Sequence, residues 1–183
     1  MTCADKTTGF CLYKAYLRTL KKGATAAVLM LSLALAYITP AAAENGPSLD
    51  YTWDYAGGQQ SLSDFKGKVV YVDFWSSWCG PCQKAFPWMQ KMQLKYQHQD
   101  FTVVAINLDV ETELADAFLQ KIPVTFPIRY DPESDIARAF KLQGMPSSFI
   151  FNRQGELVAQ HVGFNVKHLA QYEAQIQYWL EKP

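Results

Sequence analysis

Seven consecutive residues, Val69-Val70-Tyr71-Val72-Asp73-Phe74-Trp75, do most to limit what this chain can fold into. They are β-branched and aromatic, without the polar and apolar alternation of a half-exposed strand. That is the pattern of a strand buried on both faces, which belongs in the middle of a covered sheet. Ser76 to Cys79 leads out of it. From Pro81 the periodicity becomes helical, with Phe86, Met89, Met92, Leu94 and Tyr96 among Gln and Lys residues as far as a polar turn near Asp100. Pro87 is expected to kink this helix.

The strand-then-helix order recurs. Residues 101–108 form a second apolar run, and 111–119 an amphipathic helix with acids in its first turn, where the helix dipole favours them. A short strand is expected over 126–130 and a short helix over 134–141. Strands over 147–152 and 157–162 flank the turn Asn152-Arg153-Gln154-Gly155, and a closing amphipathic helix covers 166–180. Before the first buried run, 51–55 reads as a short strand, Ala56-Gly57-Gly58-Gln59 as a turn, and 61–68 as a turn or helical loop. The sum is an α/β domain, a central mixed β-sheet flanked by helices on both faces.

Seventeen basic and seventeen acidic side chains balance over 183 residues, but unevenly. Lys6, Lys14, Arg18, Lys21 and Lys22 stand against Asp5 in the first 43 residues, leaving twelve basic against sixteen acidic beyond. The mildly acidic remainder has no basic footprint for nucleic acid, and it is long enough to bury a core without metal or disulfide staples. The basic stretch 14–22, the uncharged run 24–38 and Pro40-Ala41-Ala42-Ala43 follow the order of a secretory signal, with a cut after Ala43. The uncharged run is shorter than the roughly 20 residues a spanning helix needs. The expectation is a signal peptide over 1–43, with an uncleaved anchor as the alternative, and one domain over 44–183 in the periplasm or another extracytoplasmic space. Cys3 and Cys11 belong to that leader. The length of 1–13 leaves open an unusual leader or a start codon assigned too early.

Beyond the leader the chain carries two cysteines, in Trp78-Cys79-Gly80-Pro81-Cys82, where the buried strand ends and the helix begins. Free N–H groups and the dipole at a helix N-terminus favour a thiolate, which suits Cys79 as nucleophile. Cys82, three residues on and more buried, can attack the resulting mixed disulfide and release the product. Zinc would need four ligands. No further cysteine is available, and His98, His161 and His168 are scattered. A purely structural disulfide closing so short a ring constrains little of the unfolded chain. Asp73 is an acid inside an otherwise apolar strand, six positions before Cys79, and burial should raise its pKa.

Residues 71–82, with Trp78-Cys79-Gly80-Pro81-Cys82 at their end, resemble the active-site strand and helix start of thioredoxin. Ser61-Leu62-Ser63-Asp64-Phe65-Lys66-Gly67-Lys68, Ala85-Phe86-Pro87, Phe126-Pro127-Ile128 and Gly144-Met145-Pro146-Ser147-Ser148-Phe149-Ile150 resemble the secreted TlpA/ResA-type thiol-disulfide oxidoreductases, over about residues 48 to 181. The resemblance implies a thioredoxin-like fold and a dithiol/disulfide couple without a bound cofactor. It implies that Pro146 is cis and faces the cysteines, with the backbone of Met145 open to a substrate peptide. It implies that Asp73 shuttles a proton for Cys82 through water. Trp78 is expected to shield one flank of Cys79 and, with Gly80, Pro81 and Met145, to meet the substrate.

Two departures stand out. Ala85 occupies the place where many ResA-type proteins have a glutamate, and Ala105 matches the lysine partner of thioredoxin's buried acid. Asp73 is therefore expected to be the sole buried acid. The acidic run from Asp109 to Asp116 reads as a solvated helix face. The implied partners are disulfide-containing proteins and a membrane thiol electron donor, acting on a monomer, with cytochrome c maturation as one setting. Two other classes remain open: a peptide-binding or chaperone module with incidental cysteines, and a thiol peroxidase.

Overall fold

A computed structural model describes residues 46–56 and 58–183. The expected leader, its cut after Ala43, Cys3 and Cys11 lie outside the described residues. The elements are β1 (Thr52–Tyr55), β2 (Gly58–Ser61), a 3-10 turn (Ser63–Phe65), β3 (Val69–Trp75), α1 (Gly80–Tyr96), β4 (Phe101–Asn107), α2 (Thr112–Lys121), β5 (Ile128–Tyr130), α3 (Asp135–Ala139), β6 (Ser147–Phe151), β7 (Leu157–Val162), a 3-10 turn (Val166–His168) and α4 (Leu169–Leu180). Five strands form one sheet in the order β5-β4-β3-β6-β7. β3, β4 and β5 run parallel, whereas β6 is antiparallel to β3 and β7 to β6. The mixed sheet agrees with the reading from sequence, and β3, buried at every residue, is its middle strand.

Because strand side chains alternate, β3 feeds two separate cores. Val69, Tyr71 and Trp75 point to the layer of α1, α2 and α4, packed with Phe86, Met89, Phe118, Tyr172 and Ile176. Val70, Val72 and Phe74 point to the other face, with Phe140, Phe149, Phe151, Ile136 and the residues around β1. Asp73 is in register with the first set. Fully burying each of these large side chains is worth roughly 1.5–3 kcal/mol, so the two layers hold β3 from both sides.

The strand β2 was not anticipated, since Gly58-Gln59-Gln60-Ser61 is polar throughout. It pairs with β1, and the hairpin lies against the outer strand of the main sheet. The Gln60 amide donates to the Tyr130 carbonyl and accepts from the Tyr130 N–H, both at 3.2 Å, and Trp53 Nε1 donates to the same carbonyl at 2.7 Å. These contacts occupy backbone groups of an edge that would otherwise be open to another chain. α1 continues through Pro87 as one helix. The exposed proline removes only the N–H that the Gln83 carbonyl would accept. Among the described residues no helix is long and apolar enough to cross a membrane.

Candidate active site

β3 delivers its chain to the start of α1 through Ser76, Ser77 and Trp78. Cys79 is the N-cap of α1, with extended backbone (φ −82°, ψ 100°), and Pro81 sits in the first turn, where its missing N–H has no helical partner to lose. Cys79 and Cys82 are joined as a disulfide with their Cα atoms 5.2 Å apart. The Cys82 N–H donates to Cys79 Sγ at 3.3 Å. A donor aimed at that sulfur is what a thiolate would need after reduction. Cys82 is fully buried and Cys79 is 6% exposed. The order is the expected one, but the sulfur of Cys79 is far from open, because its bond to Cys82 tucks it against the first helical turn. Gly80 and Pro81 are exposed beside it.

The loop ahead of Cys79 is clasped from β4. Asp109 accepts from the Ser77 N–H at 2.9 Å, from the Ser77 hydroxyl at 3.2 Å and from the Asn107 amide at 2.8 Å. Gln83 Nε2 donates to the Ser77 carbonyl at 2.8 Å. Asp109 is buried, which corrects its assignment to a solvated helix face. Glu111, Glu113 and Asp116 of the same run are exposed as expected. Asp109 was missed because acids just before a helix already have a dipole rationale, and only the fold shows that its carboxylate turns back toward Ser77.

The Met145–Pro146 peptide bond is cis. Ser147 pairs with Phe74, so Pro146 lies one position on, beside the end of β3 from which the cysteine loop leaves. The Gly163 N–H donates to the Pro146 carbonyl at 2.8 Å, and Ser147 Oγ donates to the Gly144 carbonyl at 2.7 Å. Pro146 is buried and Met145 half-buried. Trp78 is 69% exposed, and the segments at this end of the sheet also expose Val110, Val162 and Val166.

Asp73 is 2% exposed, and its Oδ2 is buried without a hydrogen-bond partner. Its neighbours across the sheet are Ala105 on β4 and Ser148 on β6. Burial holds its carboxyl well above the ordinary carboxylate range. It is not the sole buried acid, since Asp109 and Asp131 are equally covered. Those two differ in being hydrogen-bonded: Asp131 accepts from the N–H groups of Asp135 and Ala137 at 2.8 and 3.0 Å. Burial holds the Asp131 carboxyl above its ordinary range as well, but the N–H groups it accepts from oppose that rise, whereas at Asp73 burial acts alone and drives the carboxyl to hold a proton.

Comparison with known proteins places this geometry in a family. Residues 41–176 match the model of the Redoxin family. The chain belongs to the redoxins. A thiol-disulfide oxidoreductase ResA from Bacillus thuringiensis is 30% identical over 130 residues, covering 70% of this chain and 71% of the relative. Among solved structures, a thiol:disulfide interchange protein DsbE from Chlorobium tepidum superposes with a TM-score of 0.69 at 43% identity, covering 74% of this chain and 95% of that one. A protein disulfide isomerase from Bacteroides thetaiotaomicron gives 0.65 at 31%, covering 75% and 88%. This redoxin is a thioredoxin-like, ResA-type thiol-disulfide oxidoreductase, as its motifs implied.

Proposed function

We propose that this redoxin is an extracytoplasmic reductase of protein disulfides. Cys79 acts as a thiolate on one sulfur of a substrate disulfide, forming a mixed disulfide and releasing the other substrate sulfur as a thiolate. Cys82 then gives its proton to the Asp73 carboxylate and attacks Cys79 Sγ. The Cys79–substrate bond breaks, the second substrate sulfur leaves, and the Cys79–Cys82 disulfide remains with two electrons transferred. The observation that carries this reading is the unpartnered, buried carboxyl of Asp73, on the face of β3 that meets the layer holding Cys82. A carboxyl with a raised pKa is suited to exchange a proton with a thiol near neutral pH.

Substrate proteins would lie over the apolar end formed by Trp78, Val110 and Val162, with an extended segment along Met145 and Pro146. The charge order and apolar core of residues 1–43 support export, with cleavage or anchoring both compatible with the chemistry. In an oxidising compartment a reductase must be recharged, so a membrane thiol donor is the fitting partner, and cytochrome c maturation is a fitting setting.

The direction rests on Gly80-Pro81, the dipeptide of thioredoxin, whose potential is about −270 mV, against about −120 mV for strong oxidants. Equilibrating the Cys79/Cys82 couple in dithiothreitol or glutathione buffers, with thiol alkylation as readout, tests it. A potential near or below that of thioredoxin supports the reductase, and one near the strong oxidants reverses the direction.

A further inference from the structure

Between the end of β3 and the start of α1 the chain makes one tight turn. The Cys79 N–H donates to the Ser76 carbonyl at 3.2 Å, which closes it over Ser76, Ser77, Trp78 and Cys79. The peptide groups inside the turn are held from outside it, on each side by a different element. The Ser77 N–H donates to Asp109, beyond the end of β4, at 2.9 Å. The Ser77 carbonyl accepts from Gln83 Nε2, on α1, at 2.8 Å. Gln83 also reaches Cys79 through its main chain, because its N–H donates to the Cys79 carbonyl at 3.1 Å. It follows Cys82 directly in the sequence, so the residue that grips the turn is attached to the second cysteine of the pair.

The two grips differ in what they fasten. Asp109 ties the turn to the sheet, whereas Gln83 ties it to the first turn of α1, where Cys82 is fully buried. In the disulfide the S–S bond joins the same two segments. Once that bond opens, the contacts left are the Gln83 N–H on the Cys79 carbonyl, the Cys82 N–H aimed at Cys79 Sγ, and the Gln83 side chain on the turn behind. Two constraints on one segment reinforce each other, since the segment is ordered only once. The side-chain tether therefore raises the effective concentration of one sulfur at the other, and the disulfide in turn favours the tether. Gln83 is exposed and neutral, so it does this without taking or giving a proton.

We propose that Gln83 is a positioning residue that keeps Cys79 in reach of Cys82 and so sets how strongly the pair favours the disulfide. The proposal rests on the roles given above to Cys79 as the attacking sulfur and Cys82 as the resolving one. In the mixed disulfide a substrate hangs on Cys79, and its motion works to swing the turn away from α1. The Gln83 amide opposes that swing while the Cys82 thiolate attacks Cys79 Sγ. The Cys79–substrate bond breaks, its electron pair leaves with the substrate sulfur, and the Cys79–Cys82 bond forms. A tether that favours the closed disulfide makes the dithiol the stronger reductant, which is the direction proposed for this redoxin.

The whole protein, reduced and mixed with dithionitrobenzoate in stopped flow, gives two signals. Cys79 attack releases the first thionitrobenzoate and Cys82 closure the second. Gln83→Ala should leave the first release within about twofold and slow the second about fivefold, the size of one lost hydrogen bond. The same factor in the closing equilibrium raises the potential of the couple by about 20 mV, at about 30 mV for each tenfold. Loss of fold stability alone would move neither the split between the two releases nor the potential. Gln83→Met keeps the length and helix propensity of the side chain but has no donor, and it should match Gln83→Ala. Wild-type behaviour in Gln83→Met would show that bulk and not the hydrogen bond matters, and would overturn the proposal. Unchanged closure and potential in Gln83→Ala would overturn it as well, and so would equal slowing of both releases, which places the effect on Cys79 itself. Cys82→Ser separates the proposal from the reading beneath it. Its second release should vanish, and if it persists, Cys82 is not the resolving sulfur and the proposal fails with that role.

Discussion

The end of the parallel strands and the middle of the sheet each bury an aspartate, and they treat it in opposite ways. Asp109 accepts from Ser77 and Asn107 and uses its charge to fasten the cysteine loop. Asp73, inside β3, has one oxygen with no partner at all and neighbours Ala105 on one side. A hydrogen bond to a charged group contributes roughly 1.5–3 kcal/mol, while an unsatisfied buried polar group costs about 1–3 kcal/mol. Burial is the same in both places. What differs is whether the fold supplies donors, and that decides whether an acid holds structure together or is driven to hold a proton.

The largest effect expected is on the couple itself. Cys79→Ser should abolish turnover of a protein disulfide, measured as thiol release with dithiothreitol as donor, whereas Cys82→Ser should still form a mixed disulfide and then stall. Full activity in Cys79→Ser would favour the binding-module reading. Next comes Asp73→Asn, which should lower the rate of the Cys82 step about a hundredfold. It should also raise stability at pH 8 by on the order of 2 kcal/mol, since it removes an unsatisfied buried carboxyl. The pH dependence has a fixed sign. An acid whose folded pKa is raised contributes stability that is fully present below its unfolded value of about 3.9 and lost as pH rises through the folded value. Denaturant midpoints of the wild type should therefore fall from pH 4 upward relative to those of Asp73→Asn. Parallel curves for the two proteins would mean that Asp73 is not the buried titrating group.

Asp73 stands out in the sequence because a lone acid in a seven-residue apolar run contradicts its surroundings. The same local logic located β3, α1 and the cysteine pair, whose chemistry depends on a strand-to-helix junction visible in the periodicity. It failed where meaning arises only from pairing. Ser148 and His161 are thirteen residues apart and ordinary in isolation, and they meet because β6 and β7 form a hairpin. Gln60 lies in a polar stretch with no strand signal, and its amide acts by imitating backbone against Tyr130. Asp109 was hidden by a rule that is correct for its neighbours, since Glu113 does sit exposed in the first turn of α2.

Asp109→Ala sharpens the contrast from the other side. It should destabilise the fold by about 2–3 kcal/mol, the opposite sign to Asp73→Asn, because donors at Ser77 and Asn107 lose a charged acceptor in a buried place. Activity should fall less than in Asp73→Asn, by about tenfold, because the loop before Cys79 loosens while the reacting groups remain. A stability gain in Asp109→Ala would remove the distinction between the two aspartates.

The smallest effect concerns two tryptophans three residues apart. Trp75 is fully buried, with ring centroids 4.6 Å from Phe86 and 5.1 Å from Phe118, so its ring area already belongs to the core beneath the cysteines. Trp78 is 69% exposed and stands directly before Cys79. An exposed indole adds little to folding but can cover apolar surface on a partner, and truncating such a contact typically costs about 1 kcal/mol of binding. Trp78→Ala should therefore raise KM for a protein disulfide about fivefold, leave the rate with a small disulfide such as dithionitrobenzoate within about twofold, and shift unfolding by less than about 0.5 kcal/mol. Equal losses with the protein and the small disulfide would show that Trp78 instead tunes Cys79 itself, and the partner surface would then have to be sought around Val110, Val162 and Val166 alone.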